Sequence, residues 1–399
     1  MPAGLALAIA AFAVGVDNYI VAASLSSIAQ DLREPIAAVG LLASAYALPT
    51  ALFAPVFGPL SDRRGRRTAM LLGLSIFVLA TLGCVVAPTL PLLVVARGVS
   101  GLGAAIIVPA AFAFAGDLPT PQERTRTIGL VASMFPLSTL LGLPVGALAG
   151  LLVGWRASFV FILLVGVVAL ALVATLPRLA DRPRPTTSYL STYRVLLTER
   201  RALRVFLVTF LWLCGSFGAF IYLGEFIHEA FGIPPAEASF VYVVVGLGGV
   251  VAAVVSGRIV AAIGPRRTVM AGISLFVGAA LVLPLTTIWL PLTLVVFGTW
   301  AFGTWFALPA IQSIVAGISD TARGTLLAFN SSAQNLAFVL APILVGALLG
   351  IGGFGLALRV AAGIGAVALV AAYLLLPRTT AAGPTTATLR PSDAGAGVG

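Results

Sequence analysis

Charges and amides inside apolar stretches are where chemistry is to be sought in this chain. Asp17 stands in the first such stretch, Ala3 to about Ser27, roughly 13 residues from its start. At ~1.5 Å per residue a helix carries it ~20 Å deep, near the middle of a ~30 Å hydrocarbon layer. An acid at that depth is a candidate for loading and releasing a proton. Ser24 lies seven residues on, hence on the same face, and Asn18 is adjacent. Arg97 also sits inside an apolar run. Uncompensated there, its charge costs at least ~2.5 kcal/mol, so it faces a cavity or an acid. A permanent Asp17–Arg97 pair that only holds helices together is the rival reading to proton or substrate coupling.

Three further polar groups share this setting. Glu225 lies near the end of a later stretch with His228 and Glu229, and either takes part in coupling or marks the exit from the membrane. Asn330 and Gln334 are one turn apart on one helix, followed by Asn335. Amides in a span either bond a neighbouring helix or contact substrate, and both readings stand. Tyr46, Phe135, Trp212, Tyr222, Trp300 and Trp305 are candidate cavity aromatics, although such rings are common in cores and at interfaces.

Several classes of function are excluded. All 23 basic residues are Arg. Without Lys there is no Walker A loop and no retinal or pyridoxal Schiff base. The single His228 rules out a multi-histidine metal site, and Cys84 and Cys214 in apolar runs imply no disulfide framework. Neither a metal nor a cofactor is expected. The glycines around Gly246–Gly249 lie in a span with no following strand and are packing residues, and no Ser–His pair has nucleophile spacing.

The elements that must position these groups follow from composition. The 399 residues are 60% hydrophobic and 9% charged, with a mean hydropathy of +1.11, against roughly 25% charged in a soluble domain. The first stretch lacks a basic n-region and is long enough to span, so it is helix one rather than a signal peptide. Eleven more runs follow at about 36–57, 68–87, 92–115, 127–152, 158–176, 205–227, 238–260, 268–287, 290–312, 325–349 and 356–376. The net charge of +10 gathers in alternate loops, which is positive-inside patterning rather than a nucleic-acid surface, and it predicts both termini in the cytoplasm. The expected fold is an all-α membrane protein of 12 transmembrane helices in two pseudo-symmetric six-helix bundles. The division is 1–176, a cytoplasmic linker 177–204, a second bundle 205–377 and a disordered tail 378–399.

The halves repeat. Gly58–Arg67 (GPLSDRRGRR) has a counterpart in Gly257–Arg267 (GRIVAAIGPRR), GALAG at Gly146–Gly150 returns as GALLG at Gly346–Gly350, and Pro109 matches Pro309. Such a parallel duplication resembles the halves of the major facilitator superfamily. The loop Gly58, Asp62, Arg63, Gly65, Arg66, Arg67 resembles that family's signature between helices two and three. The resemblance implies a charge relay from Asp62 and Arg66 to an acid at the end of helix four, where Asp117 stands, with Ala261 replacing the acid in the second copy.

Leu93, Arg97, Ser100, Gly101, Gly103 and Ala105 resemble the second motif of drug:proton antiporters, with Ser100 where Gln is usual. Ser138, Gly142, Pro144 and Gly146 resemble the antiporter motif with proline one residue late, as in the chloramphenicol- and arabinose-exporter branch, to which GWR-x-x-F at Gly154–Phe159 also points. A kink with small-residue packing accounts for the same residues nearly as well. The resemblance implies a monomeric, proton-coupled exporter of small amphiphilic drugs in the cell membrane, with small molecule, protons and bilayer as partners. A transporter or facilitator of a physiological solute is the first alternative, and a non-transporting receptor or scaffold the second.

Overall fold

Positive-φ glycines mark where this chain turns, and they recur in the same places in both halves. Gly65 (φ 87°) and Gly264 (φ 84°) each separate two helices, as do Gly154 (φ 107°) and Gly353 (φ 65°). Both pairs are 199 residues apart. These angles lie in the region that side chains with a Cβ seldom enter.

The computed structural model describes residues 2–177, 199–238, 240–319 and 323–377. Most of the expected linker and all of the expected tail lie outside these. The side chains of Asp62 and Arg63, and the surroundings of Gly58, are likewise outside the described set. The helices are α1 Pro2–Leu32, α2 Ile36–Arg64, α3 Arg66–Val86, α4 Leu90–Gly116, α5 Pro121–Leu137, α6 Leu143–Val153 and α7 Trp155–Ala174. There follow α8 Arg200–Phe220, α9 Leu223–Phe231, α10 Pro235–Ala238, α11 Val241–Ile263, α12 Pro265–Val282, α13 Leu290–Ala316 and α14 Arg323–Leu375.

Among the described residues, eleven stretches are long and apolar enough to cross a membrane. The last is part of α14, whose 53 residues span ~80 Å at 1.5 Å per residue, far more than one crossing needs. Non-helical Gly352 and Gly353 divide it, so there are twelve crossings in two six-helix bundles. Large apolar side chains on the outside, such as Val153 and Ile288, stay exposed, as a lipid solvent allows.

Two expected spans are interrupted. The stretch 127–152 is not one regular helix, because a π-turn at Ser138–Gly142 joins α5 to α6. Pro144 explains it: proline cannot donate to the carbonyl four residues back and its ring collides with that turn, and a π-turn widens the backbone there. The stretch 205–227 breaks at Ile221 and Tyr222 into α8 and α9. The first helix runs on to Leu32, past the expected Ser27.

Packing devices are duplicated too. A Cβ on Gly103 would lie 2.8 Å from the Gly73 carbonyl oxygen, and one on Gly303 would lie 2.6 Å from that of Gly272. Close backbone approach of this kind is how helices associate where water supplies no hydrophobic drive. At the end carrying the termini, Arg67 donates to the Ala174 carbonyl and Arg266 to that of Tyr373. Each arginine satisfies a carbonyl that the end of its helix leaves open.

Candidate coupling and substrate site

Halfway along α1, Asp17 is 1% exposed, and Arg97 on α4 is fully buried against it. Arg97 Nη1 donates to Asp17 Oδ1. Nη2 donates to the Asp17 carbonyl at 2.9 Å, and Nε lies 3.5 Å from the Leu42 carbonyl of α2. The guanidinium also stands 4.3 Å from the ring centroid of Tyr46. The arginine is therefore compensated by a charge, two backbone dipoles and a π-face, the combination a cation needs in low dielectric. Asp17 is less fully held. Its Oδ2 is buried without a hydrogen bond at the usual distance among the described residues, although the Ser100 hydroxyl, which donates to the Arg97 carbonyl at 3.0 Å, stands within reach of the carboxylate. One carboxylate oxygen is held by Arg97 and the other has at most a hydroxyl beside it.

The glycines of α5 and α6 bring this stretch of α1 into place. A Cβ on Gly142 would stand 2.1 Å from Val16 Cγ2, and one on Gly146 would stand 2.3 Å from Ile20 Cδ1. Val16 and Ile20 flank Asp17, so Gly142, which ends the π-turn, and Gly146, with Pro144 between them, set how closely α1 is held. Gly101 does the same for α4, since its Cβ would meet the Tyr46 carbonyl oxygen at 2.1 Å.

Tyr19, two residues beyond Asp17, leaves its own bundle. Its ring lies 6.0 Å from Phe217 and 5.6 Å from Phe220 on α8, and 6.3 Å from Trp305 on α13. Phe217 in turn packs against Phe338 of α14 in a tilted arrangement, with ring centroids 3.9 Å apart. An aromatic cluster thus spans the junction of the two bundles, reached from α1 two residues beyond Asp17.

The other singled-out residues fall elsewhere. Glu225 does not join Asp17. It accepts from the Ser26 hydroxyl, nine residues further along α1 and so ~13 Å away. With Glu229 it lines a cavity of about 220 Å³ between Ala37, Gly346 and Phe354. Ser24 bonds Ser158 on α7 at 3.4 Å rather than facing the pair. Asn330 lies 2.9 Å from the Thr209 hydroxyl through Oδ1, and Gln334 is one turn above it. Arg66 Nε and Asp117 Oδ2 meet at 2.9 Å, which is one leg of the expected relay; the Asp62 leg lies outside the described side chains.

Sequence reasoning missed the ties between bundles at the face opposite the termini. Ser26 bonds Glu225, Ser44 donates to the Val339 carbonyl at 2.7 Å, and Tyr222 places its hydroxyl in the notch of Gly40 while donating to Pro342 at 3.0 Å. No sequence signal marks a serine in a span as a cross-bundle donor. Phe217, Phe220 and Phe338 were missed for the same reason. Tyr19 had one available sign, its place beside the only mid-span acid of α1.

The chain matches the Major Facilitator Superfamily over residues 7–316 and 205–396. It is 30% identical over 349 residues to the uncharacterized MFS-type transporter YbcL of Bacillus subtilis (strain 168), covering 87% of each. It is 28% identical over 352 residues to a probable sugar efflux transporter of Pasteurella multocida (strain Pm70), covering 87% of this chain and 84% of the relative. A solved D-xylose-proton symporter has the same fold, with a TM-score of 0.78 at 17% identity over 94% of this chain and 98% of that one. The match runs through both halves of the duplication whose turns, crossings and clamps the structure repeats, and the chain belongs to the Major Facilitator Superfamily as a multi-pass membrane transporter, not an enzyme.

Proposed function

We propose that the protein exports small amphiphilic compounds from the cytoplasm in exchange for protons, by alternating access, from the plasma membrane with both termini inside. The observation that carries this reading is the Asp17–Arg97 pair with one carboxylate oxygen that the arginine does not hold. A proton arriving at Oδ2 neutralises Asp17 and cancels most of its attraction to Arg97. The arginine keeps the Asp17 and Leu42 carbonyls and the Tyr46 ring, so it is not left bare. Loosening the tie between α1 and α4 changes how α1 presents Tyr19 to the aromatic cluster at the bundle junction. Proton loading and substrate release are then opposite sides of one equilibrium.

The Arg66–Asp117 contact fits a latch on the side of the termini, and the Ser26–Glu225 tie fits a latch on the other. Division into bundles at 1–176 and 205–377, and a monomer as the working unit, complete the proposal.

The test is efflux of labelled drugs from cells without their own exporters, comparing wild type with Asp17→Asn, with and without an uncoupler. Uncoupler-sensitive efflux that Asp17→Asn abolishes is the expected result. Efflux surviving both treatments sinks the coupling. A second reading, export of a sugar or similar solute, is favoured by the Pasteurella multocida relative. Its signature is flux of the sugar and of no drug in the same assay.

A further inference from the structure

The second bundle holds a strip of polar atoms that the coupling site does not use. On α8 and the first part of α14, the Thr209 hydroxyl is 2.9 Å from Asn330 Oδ1. Eight residues further along each helix, the rings of Phe217 and Phe338 are 3.9 Å apart. The two helices therefore run parallel and in register, and Trp212 and Gln334 fall in the interval between those contacts. Trp212 and Asn330 are fully buried. Trp212 Nε1, Asn330 Nδ2 and Gln334 Nε2 each lack an acceptor among the described residues.

Such orphans are uncommon in folded proteins. The fold is able to satisfy an indole nearby: Trp300 Nε1 donates to Ser216 at 3.0 Å. Ser332, also unpartnered, is two residues from each amide and so on the opposite face of α14. What remains along the seam are three N–H donors with no charged side chain in the interval. Above them stands the aromatic cluster of Phe217, Phe338, Tyr19 and Trp305.

We propose that this seam is the polar end of the substrate site, where Trp212, Asn330 and Gln334 donate to an uncharged oxygen of the substrate. The class is then an amphiphile whose aromatic or apolar body packs on the ring cluster and whose carbonyl, ether or hydroxyl oxygen meets the donors. A substrate anion is disfavoured because no arginine of the described residues stands in the interval, and Arg97 of the first bundle is already paired with Asp17. The inference rests on the efflux reading above and adds to it a substrate chemistry.

The experiment measures binding to the purified full chain in nanodiscs by calorimetry, with three probes. Chloramphenicol has an aromatic body and oxygen acceptors, L-arabinose is a polyol, and tetraphenylphosphonium has aryl rings and no acceptor. The variants are Trp212→Phe and Gln334→Met, which keep ring and volume and remove the donor; thermal unfolding checks that each is folded. The expected result is a three- to tenfold weaker chloramphenicol affinity in each variant, about the net value of one lost N–H···O bond, with tetraphenylphosphonium unchanged. Equal weakening of both aromatic probes means a packing role and overturns the proposal, as does chloramphenicol binding that neither variant alters. Arabinose binding lost in the variants, with no chloramphenicol binding by wild type, sustains the donor seam and overturns the amphiphile reading. Wild type that binds none of the three overturns both.

Discussion

The two bundles share a scaffold and differ at their centres. Each has positive-φ glycines at matching turns, a crossing of two glycines, and an arginine clamped on a helix-end carbonyl. Inside, the first bundle buries a charged pair, Asp17 with Arg97. At the centre of the second the buried pairs are neutral, Thr209 with Asn330 and Ser216 with Thr304 and Trp300, while its buried Glu225 lies towards the face opposite the termini, on Ser26 of the first bundle. The difference teaches that duplication preserved what closes helices together and left the interior chemistry free to diverge. On the proposed mechanism a charge cancelled by a proton sits on one side, and on the other sit N–H donors without acceptors among the described residues.

The largest expected effect separates the two centres. Arg97→Met leaves the Asp17 carboxylate buried without its partner, a loss of about 3–5 kcal/mol, and efflux falls to background. Thr209→Val removes one neutral hydrogen bond of the second bundle, worth about 0.6 kcal/mol in a membrane. Thermal unfolding of both variants in one detergent checks the contrast. Comparable losses would break it, because the first pair would then be no more electrostatic than the second. Adding Asp17→Asn to Arg97→Met is expected to recover most of the stability and none of the uncoupler-sensitive flux.

An intermediate effect tests the sameness of the scaffold. Gly103→Val and Gly303→Val each place a Cβ against a backbone carbonyl oxygen, at 2.8 and 2.6 Å, which no side-chain rotation relieves. Each is expected to cost about 1–3 kcal/mol, and the two losses should be similar. A large loss in one bundle alone would show that the repeated crossing is not doing the same job twice.

The smallest effect lies at the surface near the termini. Arg66 and Asp117 are 25% and 29% exposed, so Arg66→Ala should cost less than ~1 kcal/mol of stability. The second-half position 199 residues on is Pro265, which cannot form such a pair. Arg66→Ala is therefore expected to slow efflux several-fold with little change in unfolding temperature. Unchanged flux would remove the latch from the proposal.

Much of the scaffold was legible beforehand. Length, hydropathy and the repeats around Gly58 and Gly257 led to twelve helices in two bundles, because an apolar run of ~20 residues has few other folds available in lipid. The pairing of Arg97 with Asp17 stood among the readings, since a buried arginine must find an acid. The breaks were less visible. Pro144 was noted, yet its π-turn depends on how α5 meets α1, and the interruption at Ile221 and Tyr222 carries no proline or glycine at all. For Glu225 both readings, coupling and the exit from the membrane, stayed open, because depth is readable from position along a helix while rotation about its axis is not.

The sequence by itself determined which polar groups lie in the membrane, for an unpaired polar group in hydrocarbon costs too much to be there in number. It also determined that the chain repeats itself, and hence that its helices come in two sets of six. Only the tertiary structure decided the partners: Asp17 with Arg97 across 80 residues, Glu225 with Ser26 across 199, and the side-chain N–H groups of Trp212, Asn330 and Gln334 with no acceptor among the described residues. The reason is geometric. A partner is chosen by the depth and rotation of two helices, and these are set by many small contacts such as Gly142 on Val16, none of which has a spacing of its own.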